Sequence, residues 1–167
     1  MSFNTTSAAP AADRQIEKKI ELAIDCLWQD RSAQAFLILS EPGFEKEPAA
    51  RFALGLCHLR AKDASSALVC FEQALTLLKS VSSLKRGIEN NRVYLTLAAE
   101  QIKESVYLSP MDPAFCASFS EAAEQTVLLA MIYVYLQQGM TEQAKRLSSG
   151  LIGPEFEEYK RKLADCI

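Results

Sequence analysis

Apolar residues recur at three- and four-residue intervals along most of this chain, which is the spacing of one face of an α-helix. The stretch from Asp13 to Trp28 shows the pattern well, because its charged residues fall on the other faces. Polar segments and segments with proline or glycine divide the pattern into about eight helices, with no convincing strand. The pattern predicts an all-α fold with helices at about 13–28, 33–39, 47–61, 67–78, 84–108, 113–138, 141–149 and 155–164.

Length and composition support one helical domain. A chain of 167 residues is well below the size at which single cores divide, and alanine and leucine far outnumber valine, isoleucine and threonine. Residues 1–12 are rich in small polar residues and alanine, so we expect a disordered tail there and a single domain over residues 13–167. Residues 84–113 form an irregular middle unit, because they end in a joint with two prolines.

A spaced motif suggests an internal repeat. The pattern LGxxH…AxxxFxxA begins at Leu54 and ends at Ala74, and it resembles the tetratricopeptide repeat (TPR), although Arg51 and His58 stand where that repeat prefers Trp and Tyr. Weaker copies place their key alanine 32 residues before and 77 residues after Ala67. The resemblance implies antiparallel helical hairpins that stack into a short right-handed superhelix. The alternative is an α-helical bundle with short hairpins.

In this family the first helices of the hairpins line a concave groove that binds segments of other proteins. The resemblance implies an apolar groove here, without the Lys, Arg and Asn residues that grip a C-terminal carboxylate. A second possibility is that the chain's own helix at 84–108 or its last helix covers these residues. The implied groove residues are Ile20, Ile24, Leu27 and Trp28 in the first hairpin, Phe52, Leu56 and Leu59 in the second, and Leu129, Tyr133 and Leu136 in the last.

The resemblance implies a protein-binding module, an adaptor or a chaperone, whose partner is a protein or peptide. The string Arg51–Leu56 is similar to a repeat start in the TPR chaperones of bacterial secretion, which are acidic and cytoplasmic. If the groove is open, Phe52→Asp with Leu56→Asp abolishes partner binding, whereas global unfolding identifies the two residues as core. The alternative function is a structural subunit that self-associates, as a homodimer or in a larger complex, through the helix Val127–Leu136.

Charge and hydropathy exclude other partners. The net charge of −3 gives no electrostatic footprint for nucleic acid. The longest apolar run, Val127–Leu136, is about half the length that a bilayer requires. The opening residues lack the features of a secretion signal, and the five cysteines are scattered without a CxxC pair. We therefore expect no nucleic acid, no membrane, reduced thiols and a cytoplasmic location.

Candidate chemistry is sparse. His58 is the single histidine, and its neighbour Cys57 points about 100° away on the same helix, so the two cannot form a Cys–His couple. Cys57 and Cys70 lie on paired helices, yet a metal there would lack two ligands. Phosphate-binding and metalloprotease motifs are absent from the sequence. We predict a protein that is not an enzyme, with no cofactor and no metal; a cysteine-dependent enzyme is the remaining alternative.

Overall fold

The computed structural model describes residues 11–82 and 106–165, and within these ranges it contains eight α-helices and no strand. This confirms the predicted all-α class. Two short 3₁₀ helices lie at Val106–Leu108 and Pro154–Phe156. The α-helices are α1 (Ala11–Trp28), α2 (Ser32–Leu39), α3 (Pro48–Arg60), α4 (Ala64–Ser82), α5 (Pro113–Ser118), α6 (Ser120–Gln137), α7 (Thr141–Ser148) and α8 (Glu157–Asp165).

Two predicted boundaries need correction. Helix α1 begins at Ala11, so residues 11 and 12 are helical rather than part of a tail; residues 1–10 lie outside the described residues. The helix predicted at 113–138 is two helices, because Phe119 adopts φ −129° and ψ 50°, which is not helical. The predicted helix at 84–108 lies outside the described residues except for Val106–Leu108, which form a 3₁₀ turn.

The turns that close three helical hairpins share one backbone conformation. Each contains a residue with positive φ: Asp30 (57°), Lys62 (62°) and Gly139 (71°). In each turn the next N–H donates to a carbonyl five residues back, the Schellman arrangement that satisfies the end of a helix. These bonds are Arg31 N to Cys26 O (2.8 Å), Asp63 N to His58 O (2.9 Å) and Met140 N to Tyr135 O (2.8 Å). The turns are separated by 32 and 77 residues, which are also the offsets of the alanine pattern.

The positive φ values predict opposite effects of two substitutions. A side chain in this left-handed region costs about 1–2 kcal/mol, which glycine avoids. We expect Lys62→Gly to raise the free energy of unfolding by about 0.5–1 kcal/mol and Gly139→Ala to lower it by about 1 kcal/mol. Urea denaturation of the two variants measures both values. If both substitutions changed the free energy of unfolding equally and in the same direction, the shared turn geometry would be contradicted.

Small residues allow the paired helices to approach closely. A Cβ atom placed on Gly55 would lie 2.5 Å from Cε1 of Phe71, which is too close for two non-bonded carbon atoms. The rings of Phe71 and Phe52 are 5.2 Å apart, and both are fully buried. The alanines expected at crossing points are also fully buried; they are Ala23, Ala35, Ala67, Ala74 and Ala144. The spacing motif therefore encodes the α3–α4 contact.

The hairpins form one core. Helix α2 packs against α3, α4 packs against α6, and α6 packs against α7, so each described hairpin contacts a neighbour. The buried amide of Gln125 ties α6 to the segment after α7. Its Oε1 accepts from the Ile152 N–H (2.9 Å), and its Nε2 donates to the Gly150 carbonyl (3.5 Å). This pairing closes the α6–α7 hairpin at its open end.

Candidate interaction surface

Most of the predicted groove residues are buried in the core. This corrects the prediction of an open groove for six of the ten residues, because their side chains are between 0 and 7% exposed and belong to one contiguous cluster. The six are Ile20, Ile24, Leu27, Phe52, Leu56 and Leu129. Side chains in these positions contact the rest of the chain and offer no free surface in this conformation.

A segment of the chain itself lies against the first helices of the first two hairpins. Helix α5 packs against both α1 and α3. Met111 and Cys116 are buried, and Phe115 is half-buried against the same core. We call residues 111–118 the covering segment. Covering by the chain's own residues is thus the correct alternative, and part of it comes from this segment, which follows the proline joint. Most of the helix predicted at 84–108 lies outside the described residues.

The other four predicted groove residues remain at least partly accessible. Trp28 is 61% exposed and Leu136 is 36% exposed, whereas Leu59 and Tyr133 are half-buried. Leu59 and Leu136 occupy equivalent positions in their turns. The Leu59 carbonyl accepts from the N–H of Lys62, and the Leu136 carbonyl accepts from the N–H of Gly139. Trp28, Leu59 and Leu136 lie at the C-terminal ends of α1, α3 and α6, and we call these three residues the turn rim.

Arg60 fixes the turn rim between the first two hairpins. Its Nη1 donates to the Leu27 carbonyl (2.8 Å), to Oδ1 of Asp30 (3.2 Å) and to Oγ of Ser32 (3.2 Å). A cation at this point also satisfies a carbonyl at the end of α1. The guanidinium therefore holds the α1–α2 turn, and with it Trp28, at the end of α3.

His58 has a packing role in the structure. Its half-buried ring contacts the edge of Phe36 at a centroid distance of 5.4 Å and an interplanar angle of 89°. Nδ1 lies 3.6 Å from Oδ2 of Asp63 in the following turn. The imidazole thus joins α2 to α3, as the aromatic residue at this position of the repeat motif is expected to do.

The four cysteines within the described residues are buried free thiols: Cys26, Cys57, Cys70 and Cys116. Burial raises the pKa of Cys57 to about 11 and the pKa of Cys116 to about 12, and it also raises the pKa of Cys70. Because the thiolate is the nucleophile, a raised pKa makes a thiol inert at neutral pH. We expect Cys57, Cys70 and Cys116 to react with iodoacetamide more slowly than a free thiol.

The raised thiol pKa values also predict a pH dependence of stability. The folded chain holds the protons of Cys57 and Cys116 more tightly than the unfolded chain, in which the thiol pKa is about 8.5. Their stabilising contribution is therefore complete below about pH 8.5 and is lost as the pH rises through about 11. Urea titrations between pH 8 and 11 should show a smaller alkaline loss for Cys57→Ala than for the unchanged chain. Equal losses would contradict the burial of this thiol.

The helix suggested for self-association is internal. Val127–Ile132 and Val134 are buried, and Tyr133 lies 6.2 Å from the ring of Tyr107. The assignment of a homodimer interface to Val127–Leu136 is therefore wrong for this conformation. The physical reason is that α6 lies between α4, α5 and α7, which cover most of its circumference.

Several exposed apolar residues were missed by the sequence reasoning, and two of them occupy equivalent positions in neighbouring hairpins. Leu37 is 70% exposed and Val69 is 53% exposed, and each lies two residues after the key alanine of its hairpin. They lie 32 residues apart, as Ala35 and Ala67 do, and this spacing could have identified them as equivalent surface positions. They extend the accessible apolar surface onto the second helices, α2 and α4.

The described structure defines an all-α protein built from recurring helical hairpins. Comparison with protein-family models, with curated proteins and with solved structures finds no match to this chain. Among the described helices, none has the length and apolar character needed to cross a bilayer. No group of three or more His, Cys, Asp or Glu side chains within residues 11–82 and 106–165 could hold a metal ion.

Proposed function

We propose that this protein is a TPR-like repeat protein that binds a segment of another protein, as an adaptor or chaperone. The observation that carries the proposal is the recurrence of one hairpin turn at Asp30, Lys62 and Gly139. Its offsets equal those of the alanine pattern at Ala35, Ala67 and Ala144. Repeated hairpins present equivalent helix faces side by side, and such faces commonly bind peptide segments.

The turn rim is the accessible end of the proposed binding surface. Trp28 exposes more than half of its side chain, and tryptophan is the residue type most enriched among those that dominate binding energy. Arg60 holds the adjacent turn through three donated hydrogen bonds, so the backbone that carries Trp28 is held in place. A turn backbone that is already held in place loses little entropy when a partner binds.

The resemblance to the TPR chaperones of bacterial secretion gives this proposal its most specific form. In that form the protein is cytoplasmic and holds apolar segments of its clients. The exposed side chains of Trp28 and Leu136 in the turn rim are apolar and support this chemistry.

Affinity capture with matched variants tests the proposal. The tagged chain is used as bait in an extract of the cells that produce it, and captured proteins are quantified by mass spectrometry. Trp28→Ser is compared with Ile152→Ser, which removes an apolar side chain that is 74% exposed and lies on the connection after α7. We expect at least one protein to be captured by the unchanged chain and by Ile152→Ser and to be reduced tenfold or more with Trp28→Ser.

The outcomes separate specific binding from adhesion. Equal loss in both variants would indicate non-specific apolar adhesion and would contradict the proposal. Capture that is identical for all three chains would show that the turn rim is not part of the binding surface. Far-ultraviolet circular dichroism of each variant controls for folding, and neither exposed side chain is expected to change it.

A further inference from the structure

We propose that the covering segment occupies in cis the surface that a partner's short helix takes when it binds, so that the partner binds by displacing it. This inference rests on the proposed function, because it names the site and the partner chemistry for protein binding. The juxtaposition that carries it is α5 packed across α1 and α3. These are the helices whose faces the repeat pattern assigns to ligand binding.

The covering segment has the form of a bound peptide. Met111 lies directly before the Asp112 cap, and the two adjacent apolar residues Phe115 and Cys116 lie in the first turn of α5. Met111 is 6% exposed and Cys116 is 3% exposed. The intervening residues Asp112 and Ala114 are exposed. The segment therefore places its large apolar side chains inward and leaves small or polar residues exposed, as a peptide does when it docks in a groove.

The covering segment has little structure of its own to keep it in place. Helix α5 has only six residues, and a helix of that length is not stable in isolation. It is set apart by Pro110 on one side and by the non-helical Phe119 on the other. Its start is capped by Asp112, whose Oδ1 accepts from the Phe115 N–H at 2.6 Å. The segment can therefore leave as a unit without unwinding α6.

The partner chemistry follows from the segment that now fills the surface. The displacing ligand is a short protein segment with one apolar residue directly before the N-cap of a helical turn and two adjacent apolar residues within that turn. A polar N-cap residue before its first turn would reproduce the role of Asp112. Charged residues on its inward edge would be excluded, since they would be desolvated against the core.

The thiol of Cys116 reports whether the segment opens locally. Two full-length variants are compared, one that retains only Cys116 and one that retains only Cys57, with the other cysteines replaced by alanine. Both thiols are buried, and Cys57 lies in α3, within the main core. We expect iodoacetamide to label Cys116 at least tenfold faster than Cys57 without denaturant, with a weaker dependence on urea. Equal rates with equal urea dependence would show that the segment opens only on global unfolding and would overturn the proposal.

Binding of the segment in trans tests the surface itself. The probe is a labelled synthetic peptide with the sequence of residues 109–119. We expect it to bind saturably to the full chain carrying Met111→Asp and Cys116→Asp, and to bind the unchanged chain at least tenfold more weakly. The same peptide with both aspartate substitutions is the matched control and should not bind. Absence of binding to a folded variant would overturn the proposal, and if that variant is unfolded the Cys116 labelling decides alone.

The two proposals fail in distinguishable ways. Capture of a partner that depends on Trp28, combined with Cys116 labelling only through global unfolding, would support the proposed function and overturn the displacement. Local opening and peptide binding without any Trp28-dependent capture would overturn the proposed function. The surface would then be one that only the chain's own covering segment occupies.

Discussion

Replacement of Phe71 by alanine is expected to lower the free energy of unfolding by about 3–5 kcal/mol, among the largest losses that a single truncation can produce. The ring is fully buried, and it fills the space above Gly55 while it contacts the ring of Phe52. Removing it creates a cavity between α3 and α4, which are the most extensively paired helices of the fold. Urea denaturation followed by circular dichroism measures the loss.

A double-mutant cycle with Gly55 tests the geometric reason for this loss. In the unchanged chain, Gly55→Ala forces a methyl group against the Phe71 ring, and we expect it to cost about 1–2 kcal/mol after the better helix propensity of alanine is included. With Phe71→Ala the obstruction is gone, so the same change should be neutral or stabilising by up to about 1 kcal/mol. Additive effects of the two substitutions would show that the helices do not approach as closely as described.

Substitution of Phe52 by aspartate is expected to abolish cooperative folding. Phe52 is fully buried, and a carboxylate at this position would lose its hydration without gaining a partner. The penalty is comparable with the whole stability of an ordinary domain, about 5–15 kcal/mol. We expect loss of helical signal and no sigmoidal urea transition at 25 °C.

The matched control for this prediction is Val69→Asp. Val69 lies on α4 and is 53% exposed, so a charge there stays hydrated and should change stability by about 0.5 kcal/mol. The pair distinguishes a groove residue from a core residue, which the sequence left open for Phe52. A folded Phe52→Asp variant would place this side chain on an accessible surface after all.

Local features of the fold were predictable because short-range rules determine them. The Pro48 start of α3, the Asp112 cap of α5 and the buried alanines follow from residue type and helical period. The break at Phe119 was not predictable in the same way, since neither proline nor glycine marks it. Tertiary packing produces that break, because α5 turns onto α1 and α3 whereas α6 continues between α4 and α7.

The candidate site shows the same division between local and distant information. Trp28 was assigned to the groove by the repeat resemblance, and the structure leaves it accessible. Ile20 and Phe52 were placed in an open groove because helical periodicity cannot reveal what packs over a helix face. Part of what packs against α1 and α3 comes from α5, far along the chain, and no spacing rule connects the two regions.

The buried amide of Gln125 places a limit on how the length of this protein can vary. The Gln125 side chain pairs with the backbone of Gly150 and Ile152. The numbers of residues in α6 and α7 must therefore keep the start of α6 beside the end of α7. An extra residue inside α7 would rotate everything after it by about 100° and separate these partners. An extra residue at Gly139 would only enlarge an exposed turn. Natural relatives of this chain should therefore differ in length at that turn and keep α6 and α7 constant.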